Sequence, residues 1–133
     1  MKKTFIAFLT LLMIFQLSCI EEPGKWKDNI HLSDKALVFK AEGDSSIVTT
    51  EGTGWWIVEL IVAGEAYHDF DDVNLSNDTY KIVRGDLWVE RRDKNKIFIK
   101  TVPNPSPRKR YFEIVLESGD YFDRINIGQL PTN

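Results

Sequence analysis

The chain has 133 residues and a single cysteine, Cys19. One cysteine excludes a disulfide within the chain and any zinc site built on paired cysteines, so an apolar core must stabilise the fold. Hydrophobic residues make up 43% of the chain, charged residues 28% and aromatic residues 12%. This composition excludes a disordered or collagen-like chain and indicates one globular domain.

A catalytic or metal-binding motif is also missing. The two histidines, His31 and His68, are far apart in the sequence, and no Gly-x-Ser-x-Gly motif marks a hydrolase nucleophile. The acidic run 69–74 has Val73 at an alternating ligand position and lacks the glycine that a calcium loop requires. We therefore expect a protein that is not an enzyme and that needs neither a metal nor a cofactor.

Residues 1–18 have the pattern of a signal peptide. Two lysines precede an apolar run from Phe5 to Phe15, which is short for a bilayer core of roughly 30 Å. The following Leu17-Ser18-Cys19 resembles a bacterial lipoprotein processing site, although Gln16 stands where that pattern usually has Leu. This resemblance implies that Cys19 becomes the lipidated first residue and anchors the protein in the membrane. An ordinary secreted protein with a free thiol is the alternative.

Residues 19–30 are interpreted as a lipidated tether. Glu21 and Glu22 resemble the acidic tags that direct some Bacteroidetes lipoproteins to the cell surface, which implies an exported protein of the outer membrane. Removal of the leader takes away Lys2 and Lys3 and leaves 15 bases against 20 acids. Nucleic acid is therefore excluded as a partner by charge as well as by compartment.

From His31 onward, apolar residues alternate with polar ones and turn residues separate the runs, which predicts strands rather than helices. Short strands at this spacing predict an all-β fold, an immunoglobulin-like antiparallel β-sandwich of about seven strands without a disulfide. The candidate strands are 36–41, 46–51, 55–62, 87–91, 97–102, 110–117 and 121–129.

The domain, residues 31–133, resembles the BACON family, a Bacteroidetes-associated module. The likeness is carried by the segments Leu37-Val38-Phe39, Gly54-Trp55-Trp56-Ile57-Val58, Ile114-Val115-Leu116 and Ile125-Asn126-Ile127-Gly128-Gln129, with Asn104 six places before Arg110. The resemblance implies an immunoglobulin-like fold without enzymatic activity. It also implies either carbohydrate binding or a spacer role.

The tryptophan pair cannot lie on one face, since neighbouring residues of a strand point to opposite sides of a sheet. Because the row Trp56, Val58, Leu60 and Val62 is wholly apolar, we predict that it faces the core and that Trp55 faces outward. An outward tryptophan can stack on a sugar ring, or the following insertion can cover it. Trp88 is expected in the core.

The segment 63–85 is predicted to be an insertion in the sandwich, and it mixes aromatic side chains with carboxylates and amides. Such a mixture suits a sugar site, and it equally suits a compact loop that packs against itself. The candidate glycan contacts are Trp55, Tyr67, Asp71 and Tyr80.

Charge is unevenly distributed along the chain. Residues 41–80 hold nine acids and no Lys or Arg, whereas residues 81–110 hold ten bases and three acids. Either the second segment forms a basic surface for acidic glycans, or the two segments neutralise each other across paired strands. The bases border two turns about 20 Å apart at about 3.3 Å per residue, which favours two small clusters over one patch.

Together these features predict a non-catalytic, lipid-anchored envelope protein that binds a polysaccharide or a host glycan. The alternative is a structural spacer or a protein-interaction lipoprotein that docks onto an outer-membrane partner. Exposed aromatic rings would favour the glycan-binding function, and an exposed apolar face would favour docking onto a protein partner.

Overall fold

A computed structural model describes residues 26–133; the predicted signal peptide, Cys19 and most of the predicted tether lie outside the described residues. The described part contains nine strands and no helix, and hence no helix that could span a membrane. The strands are β1 (Ala36–Phe39), β2 (Asp44–Thr49), β3 (Trp56–Val62), β4 (Glu65–Tyr67), β5 (Tyr80–Arg84), β6 (Leu87–Arg92), β7 (Lys96–Thr101), β8 (Arg110–Ser118) and β9 (Tyr121–Gln129).

The strands form two sheets, in the orders β1-β9-β8-β3-β4 and β2-β7-β6-β5. All pairings are antiparallel except that of β1 with β9, which is parallel. The β-sandwich predicted from the sequence is confirmed, and each of the seven predicted strands is present. The remaining strands, β4 and β5, lie inside the predicted insertion, which is therefore only partly a loop.

The core lies between the two sheets and is built from the inward side chains of both. Its fully buried members include Ile57, Leu60, Ile82, Ile99 and Ile114. The loop from 68 to 79 connects β4, at the edge of the first sheet, with β5, at the edge of the second. Side chains of this loop, namely Phe70, Val73 and Leu75, pack against the core from that side. The loop thus closes one flank of the sandwich.

The predicted orientation of the tryptophan pair is wrong, and a β-bulge is the reason. The pairing of β3 with β8 shifts by one residue between Ile57 and Glu59. Before this bulge the odd-numbered side chains of the strand point into the core, and after it the even-numbered ones do. Trp55 and Ile57 point into the core, as Leu60 does beyond the bulge. Trp55 is only 1% exposed, whereas Trp56 is half-buried on the outer face of the first sheet.

Trp88 is not a core residue either, contrary to the prediction. It lies half-buried on the outer face of the second sheet, between the inward Leu87 and Val89. Its ring is sheltered by lysine side chains from the neighbouring strands rather than by the core, with the ammonium of Lys81 4.5 Å from its centroid.

A hydrogen-bonded lock joins the sheets where β8 begins and β9 ends. The side-chain amide of Gln129, which is fully buried, donates to the carbonyl oxygens of Lys40 and Val102 at 3.1 and 2.9 Å. Its oxygen accepts from the guanidinium of Arg110, which also donates to Asp86 at 2.6 Å. Since these partners belong to both sheets, the lock fixes this end of the sandwich.

Candidate glycan-binding site

A depression of about 490 Å³ opens at the other end of the sandwich, where β3 begins. The chain segment before β3 supplies one wall, and the loop before β5 supplies the other. Its lining residues are Thr53, Gly54, Trp55, Trp56, Leu75, Ser76, Asp78 and Arg91. An open cleft with an aromatic wall and a few polar groups has the general make-up of a small-ligand or sugar site.

Trp56 gives the depression its aromatic wall. It pairs with Glu117 of β8, which in turn pairs with Phe122 of β9. All three side chains lie on the outer face of the first sheet, so a carboxylate stands between two rings, of which Phe122 is 54% exposed. Rings can stack on the apolar faces of sugars, while a carboxylate accepts hydrogen bonds from their hydroxyl groups.

Ser76 and Asp78 supply the polar groups of the opposite wall. The side chain of Asn74 accepts a hydrogen bond from the Ser76 N–H at 3.1 Å, which shapes the turn. The backbone of Asp78 accepts from the Lys94 N–H at 3.0 Å, which ties the loop to the β6–β7 turn. The Asp78 side chain is exposed and lies 3.7 Å from the Lys94 ammonium. Its carboxylate is thus accessible to a ligand in the depression.

Arg91 and Trp55 form the rigid base beneath these walls. The Arg91 guanidinium lies 4.1 Å from the Trp55 ring centroid. It donates to the carbonyl oxygens of Trp55, Thr53 and Lys94 at 2.6, 2.5 and 3.0 Å. The Trp55 indole N–H donates to Thr50 at 2.9 Å. These bonds hold the segment that carries Trp56. The ring and the N–H of Trp55 thus have all their partners within the protein.

Two of the predicted glycan contacts, Trp55 and Tyr80, are core residues and cannot stack on a ligand in this structure. The Tyr80 hydroxyl accepts a hydrogen bond from the Ile57 N–H at 3.1 Å, and burial raises the pKa of Tyr80. Trp55 reaches the depression only at its floor. Both rings serve to anchor the start of β3.

The other two predicted contacts, Tyr67 and Asp71, lie away from the depression. The Tyr67 ring packs against the core at the edge of the first sheet, and a hydrogen bond with Glu65 raises the pKa of its hydroxyl. Asp71 is exposed on the loop. The next residue, Asp72, binds Arg84 at 2.7 Å, and this bond lowers its pKa. The structure therefore does not bring the four predicted residues to one surface.

Most of the residues that line the depression cannot be identified from the sequence alone. Strict alternation along the strand places Trp56 in the core, and nothing in the sequence distinguishes Ser76 and Asp78 from the other polar residues of the loop. Trp56 lies beside Glu117 because β3 pairs with β8, a segment more than fifty residues away, and no local pattern in the sequence predicts this pairing. Within residues 26–133, no group of three or more histidine, cysteine and acidic side chains could hold a metal ion.

Comparison with known proteins shows similarity at the level of fold. No protein-family profile matches the chain, and no curated protein matches it. A protein from Bacteroides thetaiotaomicron, solved by NMR, is 20% identical over 86% of this chain and 97% of its own, with a TM-score of 0.66. This likeness shows that the two chains share a fold.

Two looser likenesses have TM-scores too low to indicate a shared fold. A chain of the CsuC–CsuE chaperone and tip adhesion subunit complex of Acinetobacter baumannii gives 0.40, with 8% identity over 79% of this chain and 58% of its own. WR4, a C. elegans member of the MSP family, gives 0.34, with 13% identity over 80% of this chain and 100% of its own.

Proposed function

We propose that this protein is an exported, lipid-anchored and non-catalytic member of the BACON family that binds glycans in the depression beside Trp56. The observation that carries the proposal is the half-buried Trp56 ring opposite the accessible carboxylate of Asp78. A ring surface beside hydrogen-bonding groups matches the alternating apolar and hydroxyl faces of a sugar.

The lipid anchor is supported by the order of features at the start of the sequence, in which a basic end and an apolar run precede Cys19. We expect the full chain, produced in a Bacteroides host with an alkyne-tagged fatty acid, to incorporate the label and to fractionate with the outer membrane. Cys19→Ser is expected to lose the label, because the acyl chains need the thiol. Labelling that persists in Cys19→Ser would contradict the anchor.

Glycan binding is tested with the soluble chain from Glu21 onward, which retains both sheets and the whole described core. A panel of neutral polysaccharides is titrated by calorimetry. We expect saturable binding to one of them and a loss in Trp56→Ala of about 2 kcal/mol or more, roughly thirtyfold in affinity, as for a central aromatic contact.

The matched control is Tyr111→Ala, since Tyr111 is a ring on the same sheet face but 64% exposed and distant from the depression. Its affinity is expected to equal that of the unmodified protein. If both variants bind equally well, or if no polysaccharide binds, the proposed site is wrong.

Docking onto an outer-membrane protein partner, the alternative to glycan binding, is favoured by one observation. A shallow groove of about 330 Å³ crosses Gly128 between Val38 and Tyr111, which are 67% and 64% exposed. An exposed apolar patch of this kind is typical of protein interaction sites. Tyr111→Ala separates the two functions, because it would reduce capture of a membrane protein and leave polysaccharide binding unchanged.

A further inference from the structure

The outer face of the second sheet is basic, although the chain as a whole carries a net charge of −3. The outward positions of β5, β6 and β7 hold four cationic side chains against one carboxylate, Glu90. The cations are Lys81, Arg92, Lys96 and Lys100. We call this surface the cationic face.

The register of the strands brings these charges together. Trp88 pairs with Lys100 on one side and with Val83 on the other, and Lys81 pairs with Glu90 one row further along. Lys96 and Lys100 are four residues apart on β7, so the charges extend over about 13 Å at about 3.3 Å per residue. This length suits a polymer with repeated charges better than a single small anion.

Two aromatic rings support the cations of this face. The ammonium groups of Lys81 and Lys100 lie 4.5 and 6.0 Å from the Trp88 ring centroid. The Arg92 guanidinium lies 4.0 Å from the Phe98 centroid. A ring beneath a cation restrains the long side chain and stabilises its charge. Because cations already cover these rings, a neutral sugar cannot stack there without displacing them.

The cations differ in how far the protein already neutralises them. Arg92 binds Glu90 at 2.9 Å and lowers the pKa of that carboxyl, and Lys96 binds Asp93 at 3.3 Å. Lys81 and Lys100 form no ion pair with a carboxylate of the described residues; they flank Trp88 instead. These two ammonium groups are therefore available to an external anion.

We propose that the cationic face binds an anionic polysaccharide, with Lys81 and Lys100 contacting its sulfate or carboxylate groups and Trp88 holding both ammonium groups in position. This surface is separate from the depression beside Trp56, and its ligand is recognised by charge rather than by stacking. An anionic membrane fits less well, because the rings lie beneath the cations instead of protruding from the face.

The test compares dextran sulfate with neutral dextran, two polymers with the same backbone, on the soluble chain from Glu21 onward. We expect dextran sulfate to bind saturably at about 0.1 M salt and to weaken as salt is raised, and we expect no binding of neutral dextran. The double variant Lys81→Gln/Lys100→Gln is expected to bind dextran sulfate about tenfold more weakly. Trp56→Ala is expected to bind it unchanged, so failure of this proposal and failure of the Trp56 site are distinguishable.

The control for net charge is Arg108→Gln/Lys109→Gln, which removes the same two charges away from the cationic face; Lys109 lies over Tyr111 on the first sheet. An equal loss in this control would overturn the proposal, because charge alone would then explain the binding. It would also be overturned if phosphatidylglycerol vesicles bound the protein through Lys81 and Lys100 while dextran sulfate did not.

Two substitutions of Trp88 test whether its ring positions the two lysines. Trp88→Phe retains a ring beneath the two lysines and is expected to keep most of the affinity for dextran sulfate. Trp88→Leu retains apolar bulk without the ring and is expected to lose affinity about threefold while its unfolding midpoint stays near that of Trp88→Phe. Equal binding by the two variants would show that the ring does not position the cations.

Discussion

Trp55→Ala is expected to lower the free energy of unfolding by about 3–5 kcal/mol, the range for truncation of a buried large aromatic side chain. The indole is 1% exposed, bonds Thr50 through its N–H and lies beneath the guanidinium of Arg91. Truncation would leave a cavity and would also remove the ring that supports a buried charge. Urea unfolding followed by circular dichroism measures the loss.

Trp56→Ala is the matched control for this prediction, since the two residues are adjacent and identical. Trp56 is half-buried on the outer face, so its truncation is expected to cost about 1 kcal/mol or less of stability. Equal destabilisation by the two substitutions would contradict the assigned orientations. If Trp55→Ala does not fold, Trp55→Phe, which retains a ring without the N–H donor, allows the same comparison at smaller amplitude.

Arg91→Met is expected to destabilise the protein by about 2–4 kcal/mol, because it removes a buried guanidinium and its hydrogen bonds to three carbonyl oxygens, of which that of Trp55 is buried. Those oxygens belong to Thr53, Trp55 and Lys94, so the segment before β3 would also lose its attachment to the β6–β7 turn. Methionine preserves much of the apolar stem, which separates the bonds from packing. We expect the affinity at the Trp56 depression to fall as well.

Arg92→Met provides the comparison, since Arg92 is the next residue but points to the opposite face of the sheet. Its partner Glu90 is partly exposed, and such ion pairs contribute about 1 kcal/mol or less. Similar losses of stability in Arg91→Met and Arg92→Met, measured by urea unfolding, would show that the hydrogen bonds of the buried Arg91 guanidinium add little to the stability of the fold.

The strands of this fold could be predicted from the sequence because the alternation of apolar and polar residues is local. β9 begins and ends at the predicted residues, and the other six predicted strands differ by one or two residues at one or both ends. β4 and β5 could not be predicted because their apolar runs are short and lie among polar residues. Their pairing depends on β3 and β6, which no local pattern in β4 or β5 reveals.

The faces of the strands were harder to predict than the strands themselves. The single extra residue of the bulge near Val58 exchanges the roles of Trp55 and Trp56, and bulges depend on pairing with a distant strand. The grouping of the charged side chains on the surface likewise depends on pairing between strands, which the sequence does not reveal. In the sequence the basic residues cluster beside two turns, whereas the strand register places Lys81 and Lys100 on either side of β6.

The lock formed by Gln129 and Arg110 also bears on which residues of this protein could be substituted during evolution. These two residues contributed to the resemblance to a known family, and both fasten the sheets at the end opposite the depression. At the other end, Trp55 and Arg91 likewise join the two sheets, whereas Trp56, Ser76 and Asp78 line the depression with partly or fully exposed side chains. Specificity could accordingly drift at Trp56, Ser76 and Asp78 while the scaffold persists, so chains with this architecture need not share a ligand.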